Sequence, residues 1–482
     1  MIKHVFIRNF RSIDTLDLDL SNLNAFIGYN NSGKSNIMDA LNIVMGEKWP
    51  TDPFVDSDFH NYNRRNPIVI EVKFDQSLVC NPECQGFRLT DNGRDRPEYR
   101  AIDDRGNVCQ RGFLNNEAKL ERTLLYLGLD RQAGAQLRTS SWTIYGKLLR
   151  HFESTLNNQL RQDFKSAIDD SYSRHLEPIL RDALDSIQRY AKQQTGKELV
   201  FSFNTVDPIN VLKNVKPYLV EGGGRHMDIE NVGSGVQSAV SIAIARAYSE
   251  IVRVPVTIAI EEPELYLHPH ACRHFYELLK ELAGNYLQII YTTHSRCFVD
   301  INDFTNIYLV NKSNDATTVK NVSTLTSNPR RNDLDIISKT DESINEIFFA
   351  ESVILVEGFN DKLACREALK REGININLKN ISIIDSGGKR NIKYLADLVN
   401  SFGIKCFALV DEDQGRNQQL IVDIQAIIGP NNVKVQRPDN LEGMLGFPSH
   451  LSKEQGLVDI PNWFQTVANA TPQVYLDIKQ MH

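Results

Sequence analysis

A chain of 482 residues is too long for one ordinary hydrophobic core and should divide into two or three domains, each with its own apolar interior. Its 41% hydrophobic and 24% charged residues exclude a disordered chain, and the formal charge of −7 argues against a wholesale nucleic-acid coat while leaving room for a local basic groove. No apolar run approaches the roughly 18 residues that cross a bilayer, and "MIKHVFIRNF" lacks the parts of an export signal, so a cytoplasmic location without a membrane is expected.

The chain opens with strand patterns, "HVFI", the strictly alternating "LDLDL", and "LNAFIG". The last runs into "GYNNSGKSN", where Gly28, Gly33, Lys34 and Ser35 meet the G-x-x-x-x-G-K-S pattern. Glycines let backbone N–H groups approach phosphate oxygens, Lys34 neutralises β/γ charge, and Ser35 ligates Mg2+. Asn30, Asn31 and Asn36 belong to the same expected nucleotide-binding loop. A helix should start near Lys34 with Ile37, Met38, Leu41 and Val44 on one side, and "PIVIEVKFD" is a further strand.

Ten arginines (88, 94, 96, 100, 105, 111, 122, 131, 138 and 150), with Lys119 and Lys147, lie between residues 88 and 150. They read either as a solvated helical surface or as one facing phosphates. The seven scattered cysteines suggest free thiols, and Cys80, Cys84 and Cys109 lack the second close pair that a zinc site needs. From about Asn115 to Gln194 the periodicity is helical, and Leu149, Phe152, Leu156, Leu160, Phe164, Ile168, Tyr172, Leu176, Leu180 and Leu184 form a packing stripe between helices or subunits. "EGGGRHMD" leads back to a sheet-and-helix region.

Three features there fit the first site. "VTIAIEEPE" is a strand ending in acids, with Glu261 suited to the Mg2+ shell and Glu262 to orienting water. "IIYTTHS" delivers His294, and "NVGSGVQSAVSIAIARA" puts Ser234 and Gly235 at a helix head that attracts anions. Taken singly, His294 could be a structural histidine and the paired acids a strand cap. Together these motifs resemble the ABC-type ATPases of the SMC and RecF group. The resemblance, with "IRNFRSID", implies Arg11 near ATP and a dimer whose signature segments cap each other's nucleotide; Val236 and Glu261 depart from the usual glycine and aspartate. Gln76 is a candidate for the family's Q-loop glutamine.

After a polar stretch, short apolar strands alternate with helices, implying a second, mainly parallel sheet with its border between 335 and 352. Glu357 follows "SVILV", with Asp361 one helical turn on, and Asp411 and Asp413 follow "CFALV". Both groups should emerge at the carboxyl edge of the sheet, where divalent cations would relieve their repulsion; hard oxygen ligands favour Mg2+ or Mn2+. Glu442 is a further possible ligand, and Lys389 a possible phosphate contact. The alternative is that these acids merely cap helices.

This half resembles a TOPRIM domain, and the two halves in this order resemble the OLD (overcoming lysogenization defect) nucleases. The expected architecture is α/β: an ABC-type P-loop ATPase domain over 1–114 and 196–340, interrupted at 115–195 by a helical dimerisation insertion. A TOPRIM domain follows at 350–450, with a short tail at 451–482 from which a family-specific C-terminal element is missing or altered. By resemblance Glu357, Asp361, Asp411, Asp413 and Glu442 inherit metal roles, and Arg437, Lys453 or Lys479 could be the family's late basic residue. The implied function is a metal-dependent DNA endonuclease regulated by ATP in antiphage defence, as a homodimer or larger homo-oligomer. A helicase or a reverse-transcriptase/DNA complex is an implied partner. The alternative is an ATP-dependent DNA-binding switch or scaffold that does not cut.

Overall fold

Alternation and continuous apolar runs separate the strands into two six-stranded sheets. The alternating strands β1 (Ile2–Phe10), β2 (Ile13–Asp19), β4 (Ile68–Phe74), β5 (Gly86–Asp91), β6 (Glu98–Ile102) and β7 (Val108–Phe113) form an antiparallel sheet in the order β2-β1-β4-β5-β6-β7. The fully buried strands lie elsewhere. β3 (Leu23–Ile27), β11 (Val256–Glu261) and β12 (Leu287–Thr293) are buried along their full length, as strands covered on both faces must be. With β8 (Thr123–Leu127), β13 (Ile307–Ser313) and β14 (Ala316–Asn321) they make a second sheet, β14-β13-β3-β12-β11-β8, parallel except for the edge strand β14. A two-stranded ribbon, β9 (Tyr218–Glu221) and β10 (Arg225–Asp228), stands apart.

The computed structural model describes residues 1–482 except 47, 48, 50, 114, 115, 130–135, 141, 142, 200–210, 213, 222, 223, 266, 328–336, 339–341, 449, 481 and 482. Helix α1 (Lys34–Met45) buries Ile37, Met38, Leu41 and Val44 in a core shared by the two sheets. α2 (Asn116–Glu121) is a short turn before β8. α3 (Ile144–Thr155) is followed by the hairpin α4 (Asn158–His175) and α5 (Glu177–Thr195), neither of which has a buried residue. α6 (Ser234–Val252) and α7 (Pro269–Leu282) bury Ile242, Ala245, Tyr248 and Leu279 against the other face of the second sheet.

That core does not stop at the domain border. It continues through Phe298, Ile344, Ile347 and Phe348 to Leu395, Phe402 and Val410 of the C-terminal half. There β15 (Ser352–Val356), β16 (Ile381–Asp385), β17 (Lys405–Asp411) and β18 (Val433–Gln436) form an all-parallel sheet in the order β16-β15-β17-β18. The crossovers are α8 (Phe359–Arg371), α9 (Lys389–Ser401) and α10 (Gln418–Ile428), and α11 (Leu441–Leu445) follows the last strand. The stretch expected as a tail forms α12 (Lys453–Gln465) and α13 (Gln473–Gln480), which bury Ile460, Phe464, Tyr475 and Ile478 against α8 and the sheet. No helix among the described residues is long and apolar enough to cross a membrane.

Three expectations need correction. Residues 123–127, read as part of a helical stretch, are strand β8, because a short apolar run takes its state from the neighbour it pairs with, here β11. Cys84 and Cys109 are joined in a disulfide with Cα atoms 6.1 Å apart, a proximity made by the antiparallel sheet and invisible in their spacing. The arginine-rich stretch is not a helical surface, because its first half forms strands β5, β6 and β7. Arg88 pairs with Glu71 at 2.7 Å, Arg100 pairs with Glu98, and the buried Arg122 donates to the carbonyls of Gln76 and Ser77. Arg131 and the side chain of Arg111 lie outside the described residues.

Candidate nucleotide and metal sites

The loop after β3 turns where only glycine fits. Gly28 has φ +149°, and a Cβ there would stand 2.0 Å from the Val310 carbonyl oxygen; Gly33 has φ +107°, with Thr317 Oγ1 at 2.0 Å. The β13–β14 hairpin braces the loop from outside. Thr317 Oγ1 donates to the Ser32 carbonyl at 2.9 Å and meets Ser12 Oγ at 2.7 Å, and Asn36 Nδ2 donates to Ser12 at 2.6 Å. Asn36 therefore holds the loop's support, while Asn30 and Asn31 are exposed on the loop itself. Lys34 is buried and donates to the carbonyls of Gly28 at 2.9 Å and Tyr29 at 2.8 Å, oxygens that occupy the role phosphate oxygens would take. Burial lowers its ammonium to about 8, so an arriving phosphate would stabilise a charge that burial disfavours.

Glu261 ends β11 at 4% exposure, and burial raises its carboxyl. Its Oε2 lies 3.4 Å from Ser35 Oγ, and its Oε1 accepts from Tyr126 Oη at 2.5 Å. Tyr126 also lies 3.3 Å from Asp39, which pairs with Arg11. Arg11 is thus committed to Asp39 and Asp58, and it reaches the site through them. Glu262, at φ +44°, faces His294 Nε2 at 3.7 Å, and burial together with Lys34 lowers the imidazole. The turn bearing His294 is pinned by Glu264, whose Oε1 accepts from Thr293 Oγ1 at 2.9 Å and from the His294 N–H at 2.7 Å.

Tyr126 and Glu264 were missed in the sequence. The first sits in the misread strand, and the second follows acids that already satisfied the motif. Ser234 and Gly235 open α6, which leads into β11 and so begins at the sheet edge where Glu261 lies; the Ser234 side chain is outside the described residues. Gln76 is misplaced as a nucleotide contact. Ile2 pairs with Phe74 and Arg8 with Val69, so Gln76 emerges at the end of the antiparallel sheet opposite Arg11.

The second site forms at the carboxyl ends of β15 and β17, which pair in parallel with Leu355 opposite Ala408. The Asp411 N–H donates to Glu357 Oε1 at 2.9 Å and ties the two strand ends together. Asp361 enters from the first turn of α8. Burial, then Glu357, raises its carboxyl to about 7; burial, then Asp361 and Glu357, raises that of Asp411 to about 8. Glu357 is raised by burial as well. Asp411 Oδ1 is buried without a hydrogen-bond partner. An orphaned acceptor among acids held toward their neutral forms fits a hard divalent cation.

Among the described residues no three such groups stand close enough to encircle an ion. Asp413 is drawn off by the Lys389 ammonium, which lowers it, and by Asn417 Nδ2 at 3.0 Å, so Lys389 serves here as an internal counter-ion. Glu442 is buried on α11, and its Oε1 accepts from the Leu451 N–H at 3.1 Å and faces His450 at 2.8 Å. It bears on Asp361 and Asp411 through its field. Of the late basic residues, Lys479 pairs with Glu372 at the far end of α8, roughly 16 Å along the helix from Asp361. Arg437 pairs with Glu412 between the two aspartates, and Lys453 lies over the Phe359 ring at the head of α8.

Fold and sites define the class as a P-loop ATPase domain of ABC type joined to a TOPRIM domain. The family described as "AAA domain, putative AbiEii toxin, Type IV TA system" matches residues 23–300, and "Overcoming lysogenization defect protein-like, TOPRIM domain" matches residues 348–413. The chain belongs to that AAA-domain family, and its C-terminal half carries a TOPRIM domain similar to that of the OLD proteins. It is similar to the OLD nuclease of Thermus scotoductus, 29% identical over 94% of this chain and 93% of that one. It also resembles the Old nuclease of Escherichia phage P2, 24% identical over 85% and 76% of the two chains, and Endonuclease GajA of Bacillus cereus, 25% identical over 35% and 28%.

Proposed function

We propose that the chain is a DNA endonuclease of OLD type, cutting at Glu357, Asp361 and Asp411 with Asp413 and Lys389 beside them, and gated by ATP at Lys34, Ser35, Glu261, Glu262 and His294. A divalent cation, Mg2+ or Mn2+, bound among those acids would supply an activated water and stabilise the leaving oxygen of a phosphodiester. The residues themselves align the strand ends, keep the acids dry, and hold Lys389 ready to leave Asp413 for a backbone phosphate. Nuclease names among the relatives support the reading. The OLD resemblance supports a cytoplasmic role in antiphage defence.

One observation carries the gating. Residues 342–349 link the two halves and are gripped from both sides. Tyr29 of the phosphate loop donates to the Phe349 carbonyl at 3.2 Å, Arg296, two residues after His294, pairs with Glu346, and Asn345 donates to the Val299 carbonyl at 2.8 Å. On the other side Lys362, next to Asp361, donates to Ser343 at 3.1 Å. A cleft of about 410 Å3 between the halves is lined by Tyr29, Asn30 and His294 on one wall and by Phe349, Glu351 and Gly403 on the other. Nucleotide that draws Lys34 from the Tyr29 carbonyl would therefore pull on the segment that runs into β15 and Glu357. The exposed apolar residues of the α4–α5 hairpin, Leu176, Ile179, Leu180, Ile187 and Tyr190, support a second copy of the chain as their cover.

The open spacing of the acids favours one second reading, a switch that binds DNA without cutting. Plasmid incubated with Mg2+ or Mn2+, with and without ATP, and with Asp411→Ala as control, decides between them. Metal-dependent cutting lost in the variant is expected; binding without any nicking overturns the nuclease.

A further inference from the structure

Glu261 has three side-chain torsions, and a carboxylate meant for a cation must present one chosen oxygen. The fold constrains it from the neighbouring strand. Tyr126 lies on β8 opposite Ala259, and side chains two residues apart on a strand share a face, so Tyr126, Ala259 and Glu261 all point toward α1. The small Ala259 leaves the tyrosine ring room to lie along the sheet. Its hydroxyl meets Glu261 Oε1 at 2.5 Å and Asp39 Oδ1 at 3.3 Å. A hydroxyl has one proton to give. The shorter contact takes it, while Asp39 is paired with Arg11. Glu261 Oε2 is thereby left beside Ser35, at 3.4 Å.

We propose that Tyr126 is the positioning residue for the Mg2+ side of the nucleotide site, locking Glu261 Oε1 so that Oε2 faces the cation held with Ser35. This rests on the reading of Glu261 as part of the Mg2+ shell. It also gives Arg11 a task at one remove: by holding Asp39 it keeps that carboxylate from competing for the tyrosine proton.

The test separates metal-dependent from metal-independent binding. The dissociation constant of ATP is measured by calorimetry in EDTA and in Mg2+, for the unaltered chain and for Tyr126→Phe. Loss of the hydroxyl should leave the EDTA value unchanged and weaken the Mg2+-dependent gain about tenfold, the usual effect of removing a residue that orients a metal ligand. In a Glu261→Asp background, where the shortened carboxylate no longer reaches the hydroxyl, Tyr126→Phe should be silent. A full Mg2+ gain in Tyr126→Phe, or an equal loss in both backgrounds, overturns the inference alone. An unaltered chain that binds ATP no better with Mg2+ than without overturns the reading of Glu261 as part of the Mg2+ shell and the inference together.

Discussion

The acids of the second site cannot all be charged where they stand. Burial and the neighbouring carboxylates push Asp361 up to about 7 and Asp411 up to about 8, against roughly 3.9 for aspartate in an unfolded chain. Between those limits the folded state binds more protons than the unfolded one, so stability is full below about pH 4, falls as pH rises from there, and levels off above about 8. The melting temperature of metal-free protein should drop between about pH 4 and 8, and Mg2+ should flatten the profile by neutralising the acids. A flat profile without metal would contradict the burial of these groups. Asp411→Asn should abolish cutting yet stabilise the metal-free chain by on the order of 1 kcal/mol in urea unfolding near pH 8, because it removes a charge that the fold disfavours.

At the scale of elements, the α4–α5 hairpin is anomalous. Its helices have cap residues, Asn157 for α4 and Gly196 after α5, but an apolar stripe with no cover among the described residues. Ile179, at 77% exposure, stands on that stripe with Ile187 two turns on. Changing both to Glu should convert the proposed dimer to monomer in light scattering while leaving the helical circular dichroism signal intact; an unchanged mass would overturn this seam. The hairpin was legible in the sequence because its periodicity is local. β8 was not, since five apolar residues have no period of their own and become a strand only beside β11.

Across the whole molecule, the continuous core through Phe348 and Phe402 makes the two halves one mechanical object. Tyr29→Phe removes only the hydroxyl that bonds the linker at Phe349. ATP hydrolysis and ATP-free DNA cutting should both persist in that variant, while the change in cutting rate on adding ATP should shrink severalfold, by the loss of a contact worth about 1 kcal/mol. An undiminished ATP response would show that coupling runs by another route.

The motifs were legible because their chemistry is tied to strict local spacing. Gly28, Gly33, Lys34 and Ser35 must follow one another for a loop to cradle phosphate, and Glu357 with Asp361, or Asp411 with Asp413, must sit at strand ends. What neighbours each motif residue was decided only when distant segments met. Tyr126 reached Glu261 across 135 positions, Thr317 braced a loop 285 positions away, and Lys389 paired with Asp413 across 24. Spacing along a chain specifies which groups can act together within one turn, whereas burial and pairing between sheets specify their charge, their orientation and whom they touch.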